Sequence, residues 1–389
     1  MAEIIELIVR FIVALVIALA VIHVSGLVFP FLLRRLWGFM GDRLGPNRVG
    51  PQGIFQPIAD GIKLFTKEDI TPARSNRWLF LLAPAIAFTT PMLVQVVIPF
   101  SESYTIADLN IGLLYLVAIG AFAVLGMLVG GWASNNKYSL VGGLRAAAQM
   151  ISYEIPLLLT IIVVALLAGS LSLDSVVAAQ EGVWFILVQP MSFLVFIIAG
   201  VAELNRTPFD LPEAESELVS GYMTEYSGMR FAFFYGLIEW GNVTVWALTA
   251  STLFLGGWRG PFISGPAWLV IKVCIFAFLI IWFFSTFPRL QVDQLMTFAW
   301  KILIPLSLVN LTVTAFFIVL MPDNYLWPIA IFSWVIMIAF VLLMPIVVKR
   351  LLLKKRLYTR LTDYGPWVIS RTASMRSQYY RGNSKQTSD

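Results

Sequence analysis

Apolar runs of about twenty residues recur along nearly the whole chain, separated by short connections that hold most of the charge. Each run is long enough to cross about 30 Å of hydrocarbon as a helix. The pattern predicts an all-α integral membrane protein with about nine spans, at 7–33, 78–100, 111–131, 149–169, 183–202, 231–255, 266–286, 302–321 and 326–348. One segment has a different rhythm. In 51–65, Ile54, Phe55, Ile58, Ile62 and Phe65 recur at helical spacing, opposite Gln52, Gln56, Asp60 and Lys63. It is too short to span, so it is expected to be an amphipathic helix in the interface plane, or a lintel over an opening for an amphiphilic ligand such as a quinone.

Composition strengthens this picture. The chain has 389 residues, 59% hydrophobic and only 13% charged, which argues against a set of soluble domains. Nine spans place the termini on opposite sides, and 24 of the 27 Lys and Arg residues then fall on one side. Basic residues mark the cytoplasmic face, which puts the N-terminus outside and the C-terminus inside. The net charge of +5 is thereby explained as topology signal and lipid anchor, without nucleic acid. The expected organisation is a polytopic domain over 1–348 and a basic cytoplasmic tail over 349–389. The tail opens as an amphipathic helix suited to an anionic leaflet and ends disordered. The first apolar run reads as a span rather than a cleaved leader, because the segment before it carries two glutamates and no base.

One cysteine, Cys274, and one histidine, His23, are too few for a disulfide framework or for a haem, zinc or iron–sulfur site made by this chain alone. GDRLGPNRVGPQG (41–53) has the glycine spacing of a phosphate loop at Gly45 and Gly50, but Pro51 and Gln52 stand where Lys and Ser/Thr belong. It reads as a rigid turn, with Gly45 and Gly50 supplying unusual backbone angles. Gly126 and Gly130 form a G-x-x-x-G pair, read as helix packing.

The concentrated chemistry lies in ELNRTPFDLPEAESELVSGYMTEYSG (203–228). It holds Glu203, Asp210, Glu213, Glu215, Glu217 and Glu225 against a single base, Arg206. Its bland reading is a helix start: Asp210 as N-cap, Pro212 in the first turn and Glu213 completing a capping box. That reading leaves Glu217 and Glu225 unexplained. Glu213 and Glu217 at i, i+4 would repel, and desolvation would keep one protonated, which suits a proton relay. Glu154, Glu239, Lys272 and His23 fall within spans, where ionisable groups mark ion pathways, although Lys272 could snorkel to an interface and His23 reads as a packed helix residue.

GPNRVGPQGIFQPIADGIKLFTKED (45–69), GWASNNKYSLVGGLRAAAQMISYE (131–154) and the acidic segment 203–228, with the order of spans around them, resemble one family. It is the membrane subunit of respiratory complex I, NADH:quinone oxidoreductase, that joins the quinone-reducing arm to the proton-pumping arm. The resemblance covers residues 34–320. It implies a subunit with no redox centre of its own in a bacterial plasma membrane. It also implies partners: a cytoplasmic iron–sulfur subunit, an FMN-bearing part of the complex and antiporter-like membrane subunits. Quinone is the implied substrate, admitted past 45–65. The implied proton chain runs through Asp60, Glu154, Glu203, Asp210, Glu213, Glu215, Glu217, Glu225 and Glu239. Arg34, Arg48, Lys63, Arg145 and Arg206 are the implied basic residues, grouped with Asp60 around quinone access. Two departures stand out. Leu33-Arg34 replaces the family's usual Glu-Arg, with Asp42 a candidate substitute, and the basic tail is longer than expected. Two other readings stay open: a hydrogenase-type membrane subunit that uses no quinone, and a stand-alone ion-coupled transporter built on Glu154 and Glu239.

Overall fold

The computed structural model describes residues 2–102, 104–261, 265–322 and 325–362. The chain divides into two compact units, Met1–Trp334 and Val335–Asp389. Among the described residues, strand is confined to one small hairpin, β1 (Pro99–Ser101) and β2 (Tyr104–Thr105). Everything else of regular structure is helix. The order is α1 (Ala2–Met40), α2 (Gln56–Thr66), α3 (Arg77–Val94), α4 (Gly112–Gly120), α5 (Phe122–Ala133), α6 (Lys137–Ala168), α7 (Leu173–Ala179), α8 (Phe185–Val188) and α9 (Pro190–Glu203). Then come α10 (Glu215–Leu218), α11 (Gly228–Ala232), α12 (Glu239–Phe254), α13 (Gly265–Thr286), α14 (Val292–Phe298), α15 (Ile304–Leu320) and α16 (Leu326–Thr362). π-helical segments, Phe233–Ile238 and Ala299–Leu303, join α11 to α12 and α14 to α15.

Seven helices among the described residues are long and apolar enough to cross a membrane. They match seven of the nine expected spans. The other two are present as helices of another kind. Expected span 183–202 breaks at Gln189 into α8 and the fourteen-residue α9. Expected span 231–255 is the α11–π–α12 rod, in which every residue of α12 except Asn242 is buried. A helix walled in by protein can carry polar side chains that lipid would reject, which is why its composition is less apolar.

Local chemistry sets the element ends. The Asn136 side chain accepts from the Tyr138 amide at 2.9 Å and starts α6 twelve residues before the expected span; Gly169, at φ +64°, ends it. Residues 45–53 form a turn; Gly50 (φ +72°) takes an unusual backbone angle as expected, but the second such position is Gly53 (φ +81°), not Gly45. A Cβ on Gly53 would lie 2.2 Å from the Pro46 carbonyl oxygen. Pro51–Gly53 forms a separate tight turn, so the amphipathic helix begins only at Gln56. Its apolar face is bare: Ile58, Ile62 and Phe65 are exposed, as are Ile54 and Phe55 just before it.

The bundle is built from α3 on α5, α5 on α6, α6 on α9 and α15, and α12 on α1 and α13. The glycine pair works as expected. A Cβ on Gly126 would meet Ala87 Cβ of α3 at 2.7 Å, and one on Gly130 would meet Ala83 Cβ at 3.4 Å. The tail beyond 362 lies outside the described residues, as do the side chains of 346–362.

Candidate functional site

The acidic segment is no surface loop. Tyr222 and Tyr226 are buried in the core cluster with Phe80, Ala87, Met127 and Phe234. The Tyr226 ring stacks on Phe80 at 4.1 Å and its hydroxyl donates to the Phe80 carbonyl at 3.1 Å. Ser139 Oγ donates to the Tyr222 carbonyl at 3.0 Å. Anchored in this way, the segment carries Arg206 and Asp210 inside the protein.

At its centre Arg206 Nη2 donates to Glu239 Oε2 at 2.7 Å, with both side chains no more than 7% exposed. The guanidinium lies 4.7 Å from the Trp240 ring centroid and 5.9 Å from that of Phe284. Arg289 Nη2 donates to Asp210 Oδ2 at 2.5 Å. Burial, and then the neighbouring Glu213, push the Asp210 carboxyl up to about 7 against the pull of Arg289 and Arg206. Burial, and then Glu239, push Glu213 well above the ordinary carboxylate range. Asp210 Oδ1 and Glu239 Oε1 are buried without a hydrogen-bond partner among the described residues. Asp210 is therefore poised between its charged and protonated forms near neutral pH, and Glu213 is shifted towards the protonated form, beside two arginines. Such a cluster can take up, hold and hand on protons.

Two cavities are lined by residues of the same helical rod that carries Glu239. The larger, of about 360 Å³, is mostly apolar and lies between α1, α2 and the π segment. His23, Phe31, Arg34, Asp60, Phe65 and Phe233 are among its lining residues. Arg34 pairs with Asp60, and Gln56 Nε2 donates to the other Asp60 oxygen at 2.9 Å. The smaller cavity, of about 80 Å³, is lined by both Glu154 and Glu203 together with Asn242 and Trp246. Gly236 and Leu237 line the first cavity and Asn242 the second, so Glu239 sits between them on the same rod.

The remaining expected residues scatter. Arg145 Nη1 donates to Glu217 Oε2 at 2.6 Å, with Glu217 half exposed. Asn136 Nδ2 donates to Glu225 Oε1 at 2.5 Å. Arg48 and Lys63 make no ion pair or side-chain hydrogen bond among the described residues. The Glu215 side chain lies outside the described residues. Leu33 is buried, while Asp42 is exposed, makes no ion pair among the described residues and does not line the cavity beside Arg34.

The capping-box expectation fails. The helix starts at Glu215 after Ala214, and Asp210 is an ion-pair partner instead of an N-cap. Glu213 precedes that helix, so Glu213 and Glu217 do not share a helix face; the repelling partner of Glu213 is Glu239. Arg289 was missed because it lies seventy-nine positions from Asp210, and a base in a short connection reads as a topology signal. Lys272 does not snorkel to solvent but is caged by backbone at the end of α12. Its ammonium is buried and donates to the carbonyls of Leu255, Gly257 and Arg259 at 2.6–2.7 Å.

The sequence profile of the family described as NADH dehydrogenase matches residues 12–315. The H subunits of NADH-quinone oxidoreductase from Bacillus thuringiensis (strain Al Hakam), Bacillus cereus (strain AH187) and Bacillus anthracis (strain A0248) are each 55% identical to this chain over 287 residues. The match covers 72% of this chain and 86% of each relative. The chain belongs to the family of NADH-quinone oxidoreductase H subunits. Arg206, Asp210, Glu213, Glu239 and Arg289 all lie within the matched residues 12–315.

Proposed function

We infer that this chain is an integral membrane subunit of an NADH:quinone oxidoreductase in a bacterial plasma membrane, and that it couples quinone reduction to proton transfer. The observation that carries this reading is the rod from Gly228 to Phe254. Its π segment walls the 360 Å³ cavity, its residue Glu239 meets Arg206 and Glu213, and its next turns wall the cavity of Glu154 and Glu203. The larger cavity has the size and apolar lining of a small-molecule site, and its few polar groups, Arg34, Asp60, Gln56 and His23, stand among walls compatible with an isoprenoid chain. The bare apolar face of α2 suits a helix lying among lipid headgroups beside that opening.

In this reading a quinone head passes Arg34 and Asp60 to meet an electron donor held by a cytoplasmic iron–sulfur partner. Change in charge beside Arg206 and Arg289 alters the protonation of Asp210 and Glu213. Glu239 passes the proton towards Glu203 and Glu154, and antiporter-like membrane partners receive it. The smaller cavity has room for a few water molecules to bridge the carboxyls. Glu217 and Glu225, tied by Arg145 and Asn136, stand at the cytoplasmic rim outside this path. The basic residues facing that side, and the tail over 349–389, hold the chain in its leaflet.

Gly61 gives the test. It lines the larger cavity, and a Cβ there meets nothing within 4 Å. In the intact complex, Gly61→Phe is expected to fill the opening, raising KM for a long-tailed quinone while NADH oxidation by a hydrophilic artificial acceptor is unchanged. An unchanged quinone KM contradicts access through this cavity.

A further inference from the structure

We propose that Gln149 is the positioning residue that aims Arg206 at Glu239. The proposal rests on the coupling role assigned to that pair. Gln149, on α6, is fully buried. Its amide nitrogen lies 2.7 Å from the Ala202 carbonyl, 2.7 Å from the Phe209 carbonyl and 3.1 Å from Asn205 Oδ1. These acceptors bracket the eight residues that carry Arg206: Ala202 lies in the last turn of α9, and Phe209 immediately precedes Asp210.

The bracketed turn needs holding. Asn205 sits at φ +51°, a left-handed conformation that costs free energy for a side-chain-bearing residue. The Arg206 amide reaches the Val201 carbonyl at 3.3 Å and the Phe209 amide reaches the Arg206 carbonyl at 2.8 Å, so the backbone reverses tightly around Arg206. Gln149 bonds both ends of that reversal and the strained residue within it. An NH₂ group has two protons for these three oxygens, and its partner atom Oε1 is buried with no hydrogen-bond partner among the described residues. The amide orientation follows, because a flipped side chain would set Oε1 against three acceptors. The direction of the guanidinium is thus fixed from α6, the helix that also carries Glu154 and Arg145.

Gln149→Met keeps the volume and removes both donors. In the intact complex we expect normal assembly and unchanged quinone KM, with coupled turnover down by about tenfold, since a misplaced group costs up to about 10²-fold for 1 Å. Gln149→Asn, which keeps the amide one methylene short, is expected to recover part of that loss. A Met variant at the wild-type kcat overturns the proposal. So does failure of both variants to assemble, which would assign Gln149 to folding. Glu239→Gln, measured alongside, separates the two ideas. If it pumps normally, the coupling reading fails; if it is impaired while Gln149→Met is normal, only the positioning role fails.

Discussion

Arg206 and Glu239, thirty-three positions apart, form an ion pair at 2.7 Å with neither side chain more than 7% exposed, capped by the Trp240 ring. Two charges taken out of water hold each other there, and removal of one strands the other. Arg206→Met alone is expected to destabilise the folded subunit by about 3–5 kcal/mol. Arg206→Met with Glu239→Gln should recover much of that loss. Thermal inactivation of the assembled complex measures both, and equal losses in single and double variants would contradict the coupling.

Asp210 predicts a pH dependence. Its carboxyl is raised to about 7 by burial and by Glu213. An unfolded aspartate titrates near 4, so between about pH 4 and 7 the folded chain binds more proton than the unfolded one. Stability from this group therefore falls as pH rises through that window. Asp210→Asn should flatten stability against pH there, and an unchanged slope in the inactivation temperature would contradict it.

Gly126 predicts a packing failure. A Cβ there would meet Ala87 at 2.7 Å, whereas one on Gly182 meets nothing within 4 Å. Gly126→Val should abolish accumulation of assembled complex, and Gly182→Val should not. Equal yields on a native gel would mean that α3 and α5 do not touch as closely as described.

Lys272 predicts that shape matters as much as charge. Its ammonium serves three carbonyls after α12 and lies 5.0 Å from the Trp184 ring centroid. Lys272→Met leaves those oxygens unserved, at about 1–3 kcal/mol for each that water cannot reach. Lys272→Arg should restore only part, because a planar fork cannot converge on three points as an ammonium does. Inactivation temperatures in the order wild type, Arg, Met are expected; full rescue by Arg would contradict the cage.

The sequence disclosed the membrane class, most spans and the acidic segment, because hydrocarbon imposes length and apolarity directly on the chain. It hid the pairing. Asp210 and Glu213 read locally as a helix start, yet their partners, Arg289 and Glu239, come from other parts of the chain, and no local spacing reports such contacts. Expected span 231–255 was legible as helix, but not its enclosure by protein or its π segment. Gln149 carried no signal at all, since a lone glutamine in a helix reads as ordinary polarity.

Glu213 and Glu217 stand four positions apart and separate the possibilities most sharply. Glu213 lies beside Glu239, while Glu217 is half exposed and paired with Arg145. The decisive measurement is protons pumped per NADH oxidised by the intact complex in sealed vesicles, for Glu213→Gln and Glu217→Gln separately. Glu213→Gln should lose coupled pumping and Glu217→Gln should keep most of it. Near-normal pumping by Glu213→Gln would contradict a proton path through the buried cluster.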